Sequence, residues 1–360
     1  MINVTRTYLP SRERYKKYID KIFDSGWITN NGQMVKALEQ KLEEYLGVKN
    51  LVLVSNGTLA LQVAYKLLNL EKEVITTPFS FVATTSSLVW EGLKPIFADI
   101  DKRSLCINPN LIEKNITPNT SAILPVHVFG NGCEVEEIKS IAKKHNIKVI
   151  YDAAHAFNVN YKGESILKHG DISILSFHAT KIFHTIEGGA LIINDDEIYD
   201  RARKLINFGI VGPGEIVDIG INAKMNELQA AMGLCILEDM SDILEKRMKV
   251  NEIYDGYLRG LEGVNLLHYN KNCSKNYAYY PILLKSEDCL LKVVKELNNK
   301  DIYPRRYFYP SLDTLSYINT DDLMVNSNEI AKRILCLPLY ESIDVKDQEM
   351  IVNTIRMCVK

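Results

Sequence analysis

The chain has 360 residues, more than a single hydrophobic core usually organises, so two unequal domains are expected. Its 46% hydrophobic and 24% charged residues are those of an ordinary globular protein, which excludes a disordered or fibrous chain. Lys and Arg total 43 against 45 Asp and Glu, so no global field favours nucleic acid or an anionic membrane, and any phosphate must be held locally.

The first twenty residues carry no apolar run after their basic side chains, and no later stretch offers the uncharged span that a bilayer requires. The chain reads as cytoplasmic. Its seven cysteines, Cys106, Cys133, Cys235, Cys273, Cys289, Cys336 and Cys358, are scattered and form no CxxC, which argues against a disulfide framework and a zinc ribbon. Each reads as a small buried hydrophobe.

Between residues 50 and 194, short apolar runs alternate with helix-like stretches, the order that builds a mainly parallel sheet covered by helices. The runs are Leu51–Val54, Glu73–Thr76, Pro95–Phe97, Ala122–Val126, Lys148–Tyr151, Ile172–Ser176 and Ala190–Ile193. Further on, Asn226 with Gln229 three residues later predicts a capped helix start. Met225, Leu228, Met232, Cys235, Ile236, Met240 and Ile243 then recur at helical spacing. A domain boundary is expected near Asp242, giving a large domain over 1–242 and a smaller α/β domain over 243–360, with a strand at Ala278–Leu284 and an apolar run at Ile334–Leu339.

Three segments could carry chemistry. Leu51–Val54 runs into Ser55-Asn56-Gly57-Thr58 and a helix, where free amides at the helix start, a glycine and a hydroxyl suit an anion. Taken alone, it reads as a plain N-cap before it reads as a phosphate cup. Asp152 ends a buried strand on the edge where parallel α/β sheets bind ligands, and a carboxylate there needs a cationic or hydrogen-bonding partner. Alone, it is equally a helix cap. Lys181 lies in a loop of small and polar residues between two strands, where shielding from water would lower its pKa and suit Schiff-base chemistry, although most lysines are solvated surface groups. His178 and His184 are six residues apart, which is not a zinc-ligand spacing, and no metal is expected.

Eight segments in order resemble the DegT/StrS family of sugar aminotransferases: Trp27–Gly32, Ser55–Thr58, Thr77–Thr84, Leu124–Gly130, Tyr151–His155, Ser176–Lys181, Glu187–Ala190 and Gly220–Ala231. The resemblance spans nearly the whole chain. It implies the aspartate-aminotransferase fold (fold type I), with a mainly parallel seven-stranded sheet in a large domain and a smaller C-terminal α/β domain. The implied cofactor is pyridoxal 5'-phosphate (PLP). By the same resemblance, Lys181 forms the Schiff base and shuttles protons, Asp152 pairs with the pyridinium nitrogen, Phe81 stacks on the ring and His155 lies near its 3-oxygen. The phosphate would be held by Gly57 and Thr58 amides, the Ser176 hydroxyl and either Asn222 or Lys224 from a second subunit, which implies a homodimer. Thr29, Asn30, His178, His184, Arg306, Tyr307 and Tyr309 are the expected substrate contacts, and His184 stands where the family usually has Asn.

Among related activities, the motifs look most like those of enzymes that aminate C-4 of dTDP-4-keto-6-deoxyglucose with L-glutamate as donor. A C-3 aminotransferase acting on a 3-keto deoxysugar nucleotide is the nearest alternative. A sugar dehydratase on this fold would carry His in place of Lys181. A non-catalytic sensor on the same fold lacks support, since no DNA-binding helices or basic tail are appended, and a nicotinamide dehydrogenase would want a GxGxxG turn that Ser55–Thr58 does not supply.

Overall fold

The computed structural model describes residues 1–318, 320 and 324–359. The apolar runs form strands β1 (Leu51–Val54), β2 (Glu73–Thr76), β3 (Lys94–Phe97), β4 (Thr120–Leu124), β5 (Lys148–Asp152), β6 (Ile172–Ser176) and β7 (Gly189–Ile193). They make one seven-stranded sheet in the order β1-β7-β6-β5-β4-β2-β3. Strand β7 is antiparallel to both neighbours, and the remaining pairs are parallel. The fold is therefore α/β with a mainly parallel sheet. β4 stops at Leu124 instead of Val126 because Pro125 has no N–H to donate to the ladder, and Val126 rejoins only through a single bridge to Asp152.

Alternate residues of each strand enter different cores, as the two-residue period of a strand requires. Leu51, Leu53, Ile75, Ile123, Val149 and Tyr151 face one side, and Val52, Val54, Val74, Ala122, Leu124 and Ile150 face the other. Helices α1 (Gln33–Leu46), α2 (Gly57–Leu67), α3 (Val82–Trp90) and α4 (Val135–His145) cover these faces. Because β1, β5 and β6 point the same way, Val54, Asp152 and Ser176 end at one edge of the sheet, where β7 begins at Gly189.

The helix predicted from Asn226 is α5 (Glu227–Leu258), and it starts with the expected capping box: Asn226 accepts from Gln229 N–H, and the Gln229 side chain accepts from Asn226 N–H. Glu227 is buried and caps a second helix, accepting from the Met34 and Val35 amides of α1 at 2.7 and 3.0 Å. Gly32, the N-cap of α1, leaves room for it, since a Cβ there would meet the Glu227 carboxyl carbon at 2.5 Å.

Midway, α5 passes from the core beside the sheet, which includes Met240 and Ile243, to a second core containing Val250, Tyr254 and Leu258. That second core is built on antiparallel β8 (Val264–Leu266), β9 (Pro281–Leu284) and β10 (Ile334–Cys336), with helices Glu287–Asn298 and Val345–Val359. We propose the boundary between 1–242 and 243–360 at this handover. The chain start crosses it, because Ile2–Asn3 pairs in parallel with Ile302–Tyr303. Among the described residues, no helix is long and apolar enough to cross a membrane.

Replacing Glu227 with Ala leaves two first-turn amides of α1 unpaired in a buried site, so the protein should lose about 2 kcal/mol of stability. The shift in urea midpoint, with Glu227→Gln losing less, checks this.

Candidate active site

Asp152 closes β5 and is buried, so it must be partnered. The Thr84 hydroxyl donates to its Oδ2 at 2.8 Å, and the Ala154 amide donates to Oδ1 at 3.1 Å. Ser80 lies 2.7 Å from the Thr84 Oγ1. Since the Thr84 proton is committed to the carboxylate, Ser80 is the donor, and the three groups form a directed hydroxyl chain. Burial raises the Asp152 pKa above the ordinary aspartate value, opposed by Thr84, the Ala154 amide and Lys181.

Lys181 sits in the loop between β6 and β7, a loop closed by backbone bonds from Phe177 N–H to the Gly188 carbonyl and from Thr185 N–H to the Phe177 carbonyl. Enclosure by the cleft lowers its pKa from 10.5 to about 8, and the Asp152 charge partly opposes the shift. Its amine is thereby available in neutral form near neutral pH, which nucleophilic and proton-transfer chemistry requires. Its Nζ donates to the Tyr279 hydroxyl at 3.3 Å.

The start of α2 forms the third wall. Asn56 spends its side chain on the Leu59 amide, while Gly57 and Thr58 occupy the first turn, whose N–H groups have no carbonyl within the helix to bond. Close approach requires glycine twice. A Cβ on Gly57 would lie 2.9 Å from Ser176 Cβ, and one on Gly189 would lie 2.8 Å from the Gly57 nitrogen. Two amides, the Thr58 and Ser176 hydroxyls and the positive helix end suit a dianion such as a phosphate ester.

A cavity of about 330 Å³ joins these parts and is lined by Gly57, Thr58, Phe81, Asp152, His155, Ser176, His178, Lys181 and Tyr307, all of them expected from the sequence. His155 is held neutral, its pKa pushed well down by burial and by Lys181, and its Nδ1 accepts from the Phe129 amide at 3.2 Å. His178 lies 3.5 Å from Glu187 at the rim.

Other expected contacts lie elsewhere in this chain. His184 is buried away from the cleft: Nε2 meets the Tyr8 carbonyl at 2.8 Å and Nδ1 accepts from Ile186 N–H, so both nitrogens serve the backbone. Arg306 pairs with Glu287 at 2.7 Å and lies 3.4 Å over the exposed Tyr309 ring, so neither lines the cleft. Arg305 does, stacked 4.4 Å over Tyr307. Thr29 and Asn222 are exposed, while Asn30 and Lys224 line a separate cavity of about 210 Å³. Sequence reasoning missed Ser80, Thr84, Arg305 and Tyr279. The four-residue spacing of Ser80 and Thr84 was the one available signal, since it puts both on the same side of a helix start.

These features are those of an aminotransferase, and the chain belongs to the DegT/DnrJ/EryC1/StrS aminotransferase family, whose model matches residues 11–356. A Shigella dysenteriae protein named dTDP-4-amino-4,6-dideoxy-D-glucose transaminase is 45% identical over 360 residues, covering 99% of this chain and 98% of the relative. An Escherichia coli protein of the same name is 39% identical over 368 residues, covering 99% and 97%. Among solved structures, DesI in the presence of its TDP-sugar product matches with a TM-score of 0.94 at 30% identity, covering 99% of this chain and 93% of that one. Helicobacter pylori PseC, an aminotransferase of pseudoaminic acid biosynthesis, matches with a TM-score of 0.92 at 26% identity, covering 99% of each chain.

Two outcomes follow from the electrostatics. Between pH 8 and 10.5 the unfolded lysine holds a proton that enclosed Lys181 has shed, so its burial cost is fully present below about 8 and is relieved as pH rises through that window. Reaction of this amine with an aldehyde should accordingly rise with pH with a midpoint near 8 instead of 10.5, read from the absorption band of the Schiff base. Thr84→Val removes one of the two donors to Asp152 and should lower kcat about tenfold, with stopped assays across pH showing the apparent pKa of the carboxylate-dependent limb raised.

Proposed function

We propose that this protein is a PLP-dependent aminotransferase that moves the amino group of L-glutamate to C-4 of dTDP-4-keto-6-deoxy-D-glucose, giving dTDP-4-amino-4,6-dideoxyglucose. The observation that carries the reaction class is the convergence of Lys181, Asp152 and the start of α2 on one cavity. The choice of sugar nucleotide rests on the relatives named for that activity at 45% and 39% identity.

The residues fit the cofactor by their chemistry. When bound, PLP supplies a protonated ring that accepts electrons as a bond at the substrate carbon breaks. Gly57, Thr58 and Ser176 would take its phosphate, Phe81 would flank the ring and Asp152 would hold the proton on the ring nitrogen. Acceptance by the His155 Nδ1 leaves its Nε2 as a donor. Lys181, its pKa lowered to about 8 so that a neutral fraction is available, takes a proton from one substrate carbon and returns it at another position. The walls of the cleft limit water around that amine.

The rim also supports a homodimer with shared sites. Asn222 is exposed amid Phe208, Ile219 and Ile221, which are 46%, 74% and 42% exposed, an apolar surface suited to a second copy. Such a copy would bring Asn222 or Lys224 to the phosphate of its partner. Sedimentation should find a dimer, and Ile219→Lys should shift it toward monomer.

The absorption spectrum of PLP-loaded protein provides the central test. Glutamate should convert the cofactor band to that of pyridoxamine phosphate, and dTDP-4-keto-6-deoxyglucose should restore it. Restoration by a 3-keto sugar nucleotide alone would move the regiochemistry, and turnover by Lys181→Ala would overturn the reading.

A further inference from the structure

Residues 276–279 are stitched into place from two sides. Buried Asn276 donates to the carbonyls of His155 and Phe157 at 2.8 and 2.9 Å, and its Oδ1 accepts from the Ala278 amide. From α5, Arg247 donates to the carbonyls of Tyr277 and Ala278 at 3.0 and 2.9 Å while pairing with Glu341 at 2.8 Å. Its side chain is buried, so the ion pair and both carbonyl bonds act with little screening. The product of this clamp is the placement of Tyr279. Its ring packs 4.5 Å from His155 and 5.5 Å from Phe129, and its hydroxyl stands 3.3 Å from Lys181 Nζ.

The surroundings suit a hydroxyl that serves an amine. Burial pushes the Tyr279 phenol well above its ordinary pKa, so it keeps its proton and can either donate to or accept from nitrogen. The gap among Ala154, His155, Ser176, Lys181 and Tyr279 amounts to about 10 Å³, at the lower limit for one water, so solvent is a poor substitute for that hydroxyl. Tyr279 comes from the segment entering β9 and packs into the core beside the sheet, so a C-terminal segment supplies one partner of the lysine.

We propose that Tyr279 is a positioning residue for Lys181: its hydroxyl receives the amine whenever that amine is not bonded to cofactor, and holds it within reach of the cleft between proton transfers. This rests on the amino-transfer reading above. The test uses the full chain as wild type, Tyr279→Phe, which keeps the ring and removes one hydroxyl, and Tyr279→Leu, which removes both. Loss of one hydrogen bond should make Tyr279→Phe take up PLP about tenfold more slowly and lower kcat about tenfold, with KM for the sugar nucleotide within about twofold. The deuterium isotope effect on kcat with α-deuterated glutamate should rise, because proton transfer by a poorly held amine becomes slower. Wild-type uptake rate and isotope effect in Tyr279→Phe, with impairment confined to Tyr279→Leu, would reduce the residue to packing and overturn the proposal. Absence of PLP uptake by the wild type would instead bring down the underlying reading, and the proposal with it.

Discussion

Keeping a carboxylate at the end of a buried strand is the constraint on which the rest of this site depends. Removing such a charge from water costs several kcal/mol unless neighbours replace the lost hydration. Asp152 is supplied by Thr84, by the Ala154 amide and by the field of Lys181. Each supplier then needs its own placement: Thr84 needs Ser80, and Lys181 needs a loop that folds back between β6 and β7. One costly charge thus organises residues from three segments.

The sheet supplies the geometry cheaply. Parallel strands end together, so β1, β5 and β6 deliver a helix start, a carboxylate and a hydroxyl to one edge with no long loops. Antiparallel β7 then begins at the same edge, and the absence of side chains at Gly57 and Gly189 lets backbone and hydroxyl converge where a Cβ would collide. A helix N-terminus and a lysine of lowered pKa are complementary tools at this edge, one for a fixed negative charge and one for a mobile proton.

Long α5 links the catalytic edge to the second core. Its first residue fixes the start of α1 through the Glu227 carboxylate, and its middle fixes residues 277 and 278 through Arg247. A helix is stiff enough to transmit position over such a span, so the segment bearing Tyr279 and the Gly32 turn are registered against one common rod.

Much of this was legible locally. Buried strands of four or five residues announce themselves as apolar runs between turn signals, and Gly57, Asp152, Ser176 and Lys181 stand at or near strand ends, where their polarity interrupts the pattern. The Asn226 capping box was equally plain because all its atoms belong to neighbouring residues. What tertiary structure decided were the choices that local pattern leaves degenerate. Adjacent residues of an extended chain face opposite ways, so whether Arg305 or Arg306 enters the cleft depends on how the segment is seated, and Glu287 captures the second. His184 could equally have faced a substrate, but the Tyr8 carbonyl, 176 residues away in sequence, claims its Nε2. Tyr279 meets Lys181 across 98 residues, a contact that exists only once the segment entering β9 has packed into the core beside the sheet. Strand ends and caps are set by nearest neighbours along the chain, whereas the partner of a buried polar side chain is set by which distant segment satisfies it.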